Sequence, residues 1–289
     1  MLPHGAFAPV PTPLNARLDF ESDALQAHLE WLASQRLEGA LILGTNGEFP
    51  SLSVDERLEV AEAAAAGSAG LQLMLGIGSC SLPEVLTLLD AAADLGFGSA
   101  LCPPPFYFRS ASNQGLAAFF STVLDHARVP MLLYHIPQVT GIAISDELLD
   151  ILGPHPNLVG VKDSSGSSDE LGRLATRFGN GVYLVGSDLL VTSCLEAGGR
   201  GSISAAASVA PALVGAVHRG ASKQHELDAV RRLLEAHGLG PSVKAILRSS
   251  GFGEYATRPP LVGLDGPASE ALMSAFRELV AADQRPARS

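Results

Sequence analysis

Lysine is scarce in this 289-residue chain: only Lys162, Lys223 and Lys244 occur, and arginine supplies the rest of the positive charge. Lys223 lies in the polar run SKQHE and reads as a solvated position, and Lys244, near the start of PSVKAILR, reads as a helix-surface or ion-paired residue. Lys162 differs from both, because it ends the apolar run NLVGVKD, where a charge needs a partner or a task. Burial disfavours the ammonium form and leaves a nucleophilic amine able to attack a carbonyl carbon. An ion pair with Asp163 is the other arrangement open to it.

Two more segments carry groups suited to carbonyl chemistry. In MLLYHIP, Tyr134 follows three apolar residues and precedes a turn at Pro137. Its hydroxyl both donates and accepts, so it can move a proton beside an iminium, or it can simply bond a backbone carbonyl with its ring in the core. His135 falls on the opposite face of a regular strand and reads as structural. The segment GTNGEF at 44–49 has two glycines that permit a tight turn. Its backbone N–H groups and the Thr45 and Asn46 side chains could hold a carboxylate, although Asn-Gly is also an ordinary turn dipeptide. Glu48 reads as a capping or solvated residue of that loop.

No pattern asks for a metal or another cofactor: HExxH is missing, and no carboxylate–histidine cluster stands out. Cys80, Cys102 and Cys194 are odd in number and widely spaced, as expected of reduced core thiols.

Positioning such groups requires a scaffold, and its elements are legible. Eight short apolar runs, bounded by Gly or Pro, alternate with helical patterns: GAFAPV, ALILG, LQLMLGIG, SALCPP, VPMLLYHIP, LVGVKD, VYLVGS and GSISAA. Continuous rather than alternating apolar character marks parallel strands covered on both faces. Helices between them are announced by Ser22, Ser53, Ser81 and Ser145 as opening residues, with a capping box from Ser53 to Glu56, and by closing glycines such as Gly67 and Gly179. Eight repeats of this length predict an α/β fold, a (β/α)8 TIM barrel, whose active site sits at the carboxyl ends of its strands. From about Pro211 onward the pattern is helical only, so the expected organisation is a barrel over 1–220 and an all-helical C-terminal extension over 221–289, with the terminal QRPARS frayed.

Composition narrows the partners. A formal net charge of −11, with no basic run, argues against a surface that neutralises phosphates, so neither nucleic acid nor an anionic membrane is expected. Hydrophobic residues make up 47% and charged ones 17%, the proportions of a chain with a large core. No secretory signal is recognisable, and the apolar runs are shorter than the roughly 18 residues that span a bilayer, so the cytoplasm is the expected location.

GTNGE at 44–48, YHIP at 134–137 and GVKDSSG at 160–166 resemble, in order and spacing, the three signatures of the dihydrodipicolinate synthase and N-acetylneuraminate lyase family. The similarity runs from about Gly5 into the C-terminal helices and includes PPPFYFR and GGRGSIS. It implies that Lys162 forms a Schiff base with pyruvate or a related 2-oxo acid, and that Tyr134 transfers protons. It also implies a hydroxyl relay from Thr45 to Tyr107, the latter often supplied across a tight dimer interface. Thr45 and Asn46 would bind the pyruvate carboxylate, Gly186 and Ile203 would complete the pocket floor, and the assembly would be a homotetramer built as a dimer of dimers.

At one place the chain departs from the synthase pattern. The arginine that in synthases follows the YNxP motif by two positions, and binds the aldehyde's carboxylate, is Val139 here. An isopropyl group cannot replace a guanidinium that makes paired hydrogen bonds. The expected reaction is therefore cleavage or formation of a 4-hydroxy-2-oxo acid or 2-keto-3-deoxy acid, giving pyruvate plus an aldehyde, with Val139 lining the aldehyde side. Condensation of pyruvate with aspartate semialdehyde to 4-hydroxy-tetrahydrodipicolinate is the alternative, and a non-catalytic 2-oxo-acid-binding regulator is the alternative of another class.

Overall fold

Eight strands alternate with helices through the computed structural model, which describes residues 2–283. The expectation for QRPARS lies outside the described residues. The strands are β1 (Gly5–Pro9), β2 (Gly39–Ile42), β3 (Gln72–Gly76), β4 (Ser99–Cys102), β5 (Met131–His135), β6 (Leu158–Asp163), β7 (Val182–Val185) and β8 (Gly201–Ile203). Each pairs in parallel with the next, and β8 pairs with β1 through Gly5 and Gly201, which closes the barrel. Each expected apolar run holds one strand.

Helices α1 (Ser22–Ser34), α2 (Val54–Ala66), α3 (Leu82–Asp94) and α4 (Asn113–His126) follow the first four strands. A short α5 (Pro137–Thr140) and α6 (Asp146–Leu152) follow β5, and α7 (Ser168–Arg177), α8 (Val191–Glu196) and α9 (Pro211–His218) follow β6, β7 and β8. The tail is α10 (Gln224–Ala236), α11 (Leu239–Ser249) and α12 (Gly266–Asp283). The division expected at 220/221 falls in the turn between α9 and α10.

Alternation along each strand divides the apolar residues between two cores. Phe7, Leu41, Met74, Leu101, Leu132 and Leu184 fill the barrel interior, while their strand neighbours, such as Ala8, Leu75 and Leu133, pack outward against the helices. Full burial of one such side chain contributes about 1.5–3 kcal/mol. Gly39 makes room inside: a Cβ there would sit 2.2 Å from the Phe7 ring.

Helix ends follow the expected chemistry in part. Ser53 and Glu56 form the reciprocal capping box, and Ser145 accepts from the Leu148 N–H. Ser22 instead lies in the first turn of α1 behind Glu21, and Ser81 caps α3 without a side-chain bond, its own N–H donating to Ser79 Oγ. Gly67 ends α2 at φ −102°, outside the left-handed region, and Gly179 sits one residue beyond the cap position at Phe178. Cys102 and Cys194 are buried thiols, but Cys80 is only half-buried, because it lies in the loop after β3 and accepts from the Tyr107 N–H.

Candidate active site

Every strand that contributes to the site does so at its carboxyl end. Tyr134 on β5 and Lys162 on β6 are register partners. Each lies two residues beyond an inward position, Leu132 or Gly160, so both point into the barrel. Lys162 is 3% exposed and Tyr134 4%. The amine nitrogen stands 4.3 Å from the centre of the phenol ring.

Asp163 and His135 point the other way. The Asp163 carboxylate accepts from the Ser165 N–H at 2.8 Å and the Tyr183 hydroxyl at 2.9 Å, so the Lys162–Asp163 ion pair is not the arrangement adopted. His135 is buried among the helices, where Nδ1 accepts from the Ile144 N–H and Nε2 lies 3.1 Å from Glu170, a structural role as its strand position required.

The phenol is held in a polar setting. Thr45 Oγ1 lies 3.2 Å from its hydroxyl and Ser164 Oγ 3.5 Å. Burial alone pushes the Tyr134 phenol up, but the neighbouring Lys162 charge and hydrogen bonds from Ser164, Thr45 and Lys162 outweigh it, leaving the group below the usual tyrosine value. A phenol so placed gives up its proton more readily than a free one, so more of it stands ready as the phenolate base.

Thr45, Asn46 and Gly47 form a single helical turn after β2. As the opening residues of that turn, Thr45 and Asn46 direct N–H groups away from it. Leu43 at φ +58° and Glu48 at φ +54° bracket the turn in the left-handed region, which non-glycine residues adopt at a cost and which clusters at functional sites.

These groups border one cavity of about 390 Å³ at the mouth of the barrel, lined by Lys162, Tyr134, Thr45, Asn46, Gly186 and Ile203. Val139, 54% exposed on α5, stands at its edge. A side chain at Gly186 would displace Ser164, since a Cβ would fall 1.9 Å from its Oγ and 2.9 Å from its Cβ. Tyr107 is the one expected site residue not brought to the cavity within this chain. It is 80% exposed, its ring edge-on to Phe108 in the loop after β4.

Several cavity residues were missed in the sequence. Ser164 stands within the recognised GVKDSSG segment, but Gln138, which donates to the Ser164 carbonyl at 2.6 Å, carried no signal. The C-terminal extension also reaches the cavity, through Arg231, Leu239 and Leu261. Arg231 Nη1 lies 3.2 Å from the fully buried Asp188 and its Nε 2.7 Å from Glu235.

Three charged residues remain, and the readings of two of them need correction. Of the two arrangements open to Lys244, the ion pair is the one adopted and the helix surface is not: it is 2% exposed and pairs with Glu48 at 2.7 Å. Glu48, in turn, is buried rather than solvated. Lys223, read as solvated, is half-buried at the start of α10. Among the described residues no group of three or more His, Cys, Asp or Glu is placed to hold a metal ion.

A closed parallel barrel presenting a buried amine beside a phenol at adjacent strand ends defines a Schiff-base lyase scaffold. Comparisons with known proteins agree. The family model described as the dihydrodipicolinate synthetase family matches residues 2–279. A protein of Chloroflexus aurantiacus named as an uncharacterized DapA-like lyase is 35% identical, over 96% of this chain and 98% of its own length. A 4-hydroxy-tetrahydrodipicolinate synthase of Azoarcus sp. is 29% identical, over 95% and 97%. The E. coli K12 prophage protein YagE, solved in complex with pyruvate, superimposes with a TM-score of 0.90 at 24% identity, covering 96% of this chain and 99% of its own. The chain belongs to the dihydrodipicolinate synthetase family, and it is a lyase of the Schiff-base, class I aldolase type.

Proposed function

We propose that this protein reversibly cleaves a 4-hydroxy-2-oxo acid or 2-keto-3-deoxy acid to pyruvate and an aldehyde, with Lys162 as the Schiff-base residue. The observation that carries the reading is Lys162 itself: a buried amine, unpaired with its neighbouring carboxylate, facing a cavity beside Tyr134.

The Lys162 amine adds to the C2 carbonyl of the oxo acid and expels water, forming an iminium. Tyr134 takes the proton of the C4 hydroxyl as the C3–C4 bond breaks. The bonding pair flows into the iminium, giving an enamine and releasing the aldehyde. Protonation at C3 and hydrolysis then release pyruvate and restore the amine. Run backwards, the same groups form the bond.

Thr45 and Asn46 hold the carboxylate through side chains and the free N–H groups of their turn, while Gly186 and Ile203 supply the floor. Thr45, in contact with Tyr134, continues a proton path to Tyr107 of a second copy, in a homotetramer arranged as a dimer of dimers. The large exposure of Tyr107 in the single chain supports that placement. Val139, apolar at the cavity edge, favours an aldehyde without a carboxylate at that position over the semialdehyde of the synthases. The setting we propose is the cytoplasm, and no helix among the described residues is long and apolar enough to cross a membrane.

The test is borohydride reduction in the presence of pyruvate with mass mapping of the adduct, beside a panel of 4-hydroxy-2-oxo and 2-keto-3-deoxy acids assayed for pyruvate release and a semialdehyde condensation assay. An adduct on Lys162 with turnover of a panel member supports the proposal. An adduct elsewhere, or none, overturns it, and condensation alone points to the synthase.

A further inference from the structure

The turn proposed to hold the substrate carboxylate is anchored from the C-terminal extension. Glu48, the residue that ends the turn, is 4% exposed, and Lys244 on α11 is 2% exposed. Glu48 Oε1 lies 2.7 Å from Lys244 Nζ, and the same nitrogen donates to the Ala256 carbonyl at 2.8 Å. The other carboxylate oxygen, Oε2, accepts from the Arg258 N–H at 3.3 Å. On the barrel side, Thr12 Oγ1 donates to the Gly47 carbonyl at 2.7 Å and Ser51 Oγ to the Glu48 carbonyl at 2.8 Å.

Two facts separate this pair from an ordinary internal ion pair. Glu48 is held at φ +54°, ψ +32°, a conformation a glutamate keeps only when its surroundings hold it there. The residue also borders the cavity that contains Lys162. Stability alone does not call for such a pair, because a buried ion pair can often be replaced by apolar groups without loss. Here the pair ties a strained turn to a helix outside the barrel, and that turn carries Thr45, which touches the Tyr134 hydroxyl.

We infer that Lys244 and Glu48 are positioning residues: through their buried contact the C-terminal extension sets the position of the Thr45–Asn46 turn, and with it the affinity of the site for the 2-oxo acid's carboxylate. The inference rests on the proposed Schiff-base reading of the site. Neither residue takes part in a bond-making step. The helical extension is thereby part of the active site rather than an appendage of the barrel.

The decisive variant is Glu48→Gln/Lys244→Met, which removes both charges and leaves neither buried alone. Adduct formation on Lys162 is measured by borohydride trapping against pyruvate concentration, together with KM and kcat for the best substrate of the panel. Misplacement of a binding group by about 1 Å costs up to a hundredfold. The half-saturating pyruvate concentration and KM are expected to rise about ten- to a hundredfold, while trapping at saturating pyruvate stays complete and kcat changes far less. Glu48→Gln alone, which keeps the shape of the side chain and leaves Lys244 bonded to the Ala256 carbonyl, is the second arm and is expected to move the same quantities in the same direction. A folded variant in either arm with the parent's pyruvate dependence overturns the inference. If the parent protein traps no pyruvate, the Schiff-base reading itself falls, an outcome distinct from unaltered variants of a parent that does.

Discussion

Tyr134 and Lys162 are direct register partners on adjacent parallel strands, with the amine 4.3 Å from the centre of the phenol ring. Neighbouring strand positions put the proposed nucleophile and the proposed proton carrier side by side without help from a loop, so the two roles should separate cleanly by substitution. Lys162→Ala is expected to abolish the borohydride-trapped adduct and pyruvate release together. Tyr134→Phe should still trap pyruvate, but with kcat lowered by about a hundred- to ten-thousandfold, the usual contribution of a positioned proton carrier. Adduct yield beside kcat on the same preparations checks both, and a Tyr134→Phe enzyme with unchanged kcat would remove the phenol from the mechanism.

Val139 sits at the cavity edge and is half exposed, so a longer side chain fits there without being buried. Val139→Arg is expected to lower KM for a carboxylated semialdehyde by about tenfold, through paired hydrogen bonds of the guanidinium. Aldehyde-dependent consumption of pyruvate measures it. No change would mean that the aldehyde half is recognised from another wall.

Gly186 leaves no space for a methyl group, since a Cβ would lie 1.9 Å from Ser164 Oγ and 3.1 Å from Ser164 Cα. Gly186→Ala should therefore displace Ser164 and the cavity floor, raising KM by about tenfold while Lys162 can still be trapped at saturating pyruvate. Parent-like KM would show that the floor yields freely.

Tyr107, exposed in the single chain, is expected to act only from a neighbouring copy. Tyr107→Phe should lower kcat roughly tenfold, and the parent enzyme's specific activity should fall when it is diluted into its monomeric range. Light scattering and activity across the same dilution series provide the check. Full activity in a monomer would eliminate the relay.

Acid sensitivity is built into the packing of α1. Burial holds His28 down at about 4 from an ordinary 6.5, with its Nε2 bonded to the Ser208 carbonyl opposing only in part. As pH falls, the unfolded imidazole takes up its proton near 6.5 and the folded one not until about 4. The stability contributed by neutral His28 is therefore complete above the first value and lost on acidification toward the second, on the order of 3 kcal/mol. His28→Gln, which can still donate to the Ser208 carbonyl, should flatten this decline in denaturant titrations across that range. Equal slopes for the two proteins would dismiss His28 as the cause.

Much of the architecture was legible because its signals are local. Continuous apolar runs mark strands covered on both faces, Ser53 and Glu56 announce a capping box within four residues, and the period of two puts His135 on the face opposite Tyr134, whereas the choice between a free Lys162 and a Lys162–Asp163 ion pair stayed open. Ser22 and Ser81 show the limit of that reading, since a serine near a helix start caps only when its hydroxyl meets a free N–H, a matter of backbone angles.

The chain's own residues determined the strands, the helices and the identity of the groups able to do carbonyl chemistry. Closure of the barrel decided that the ends of β2, β5, β6, β7 and β8 share one cavity. Only the tertiary structure decided that Lys244 is buried against Glu48, that Arg231 and Leu261 reach the cavity, and that Tyr107 faces solvent. The physical reason is range: strand faces and caps are written in neighbouring residues, whereas the partner of a buried charge is whatever distant segment the fold brings against it.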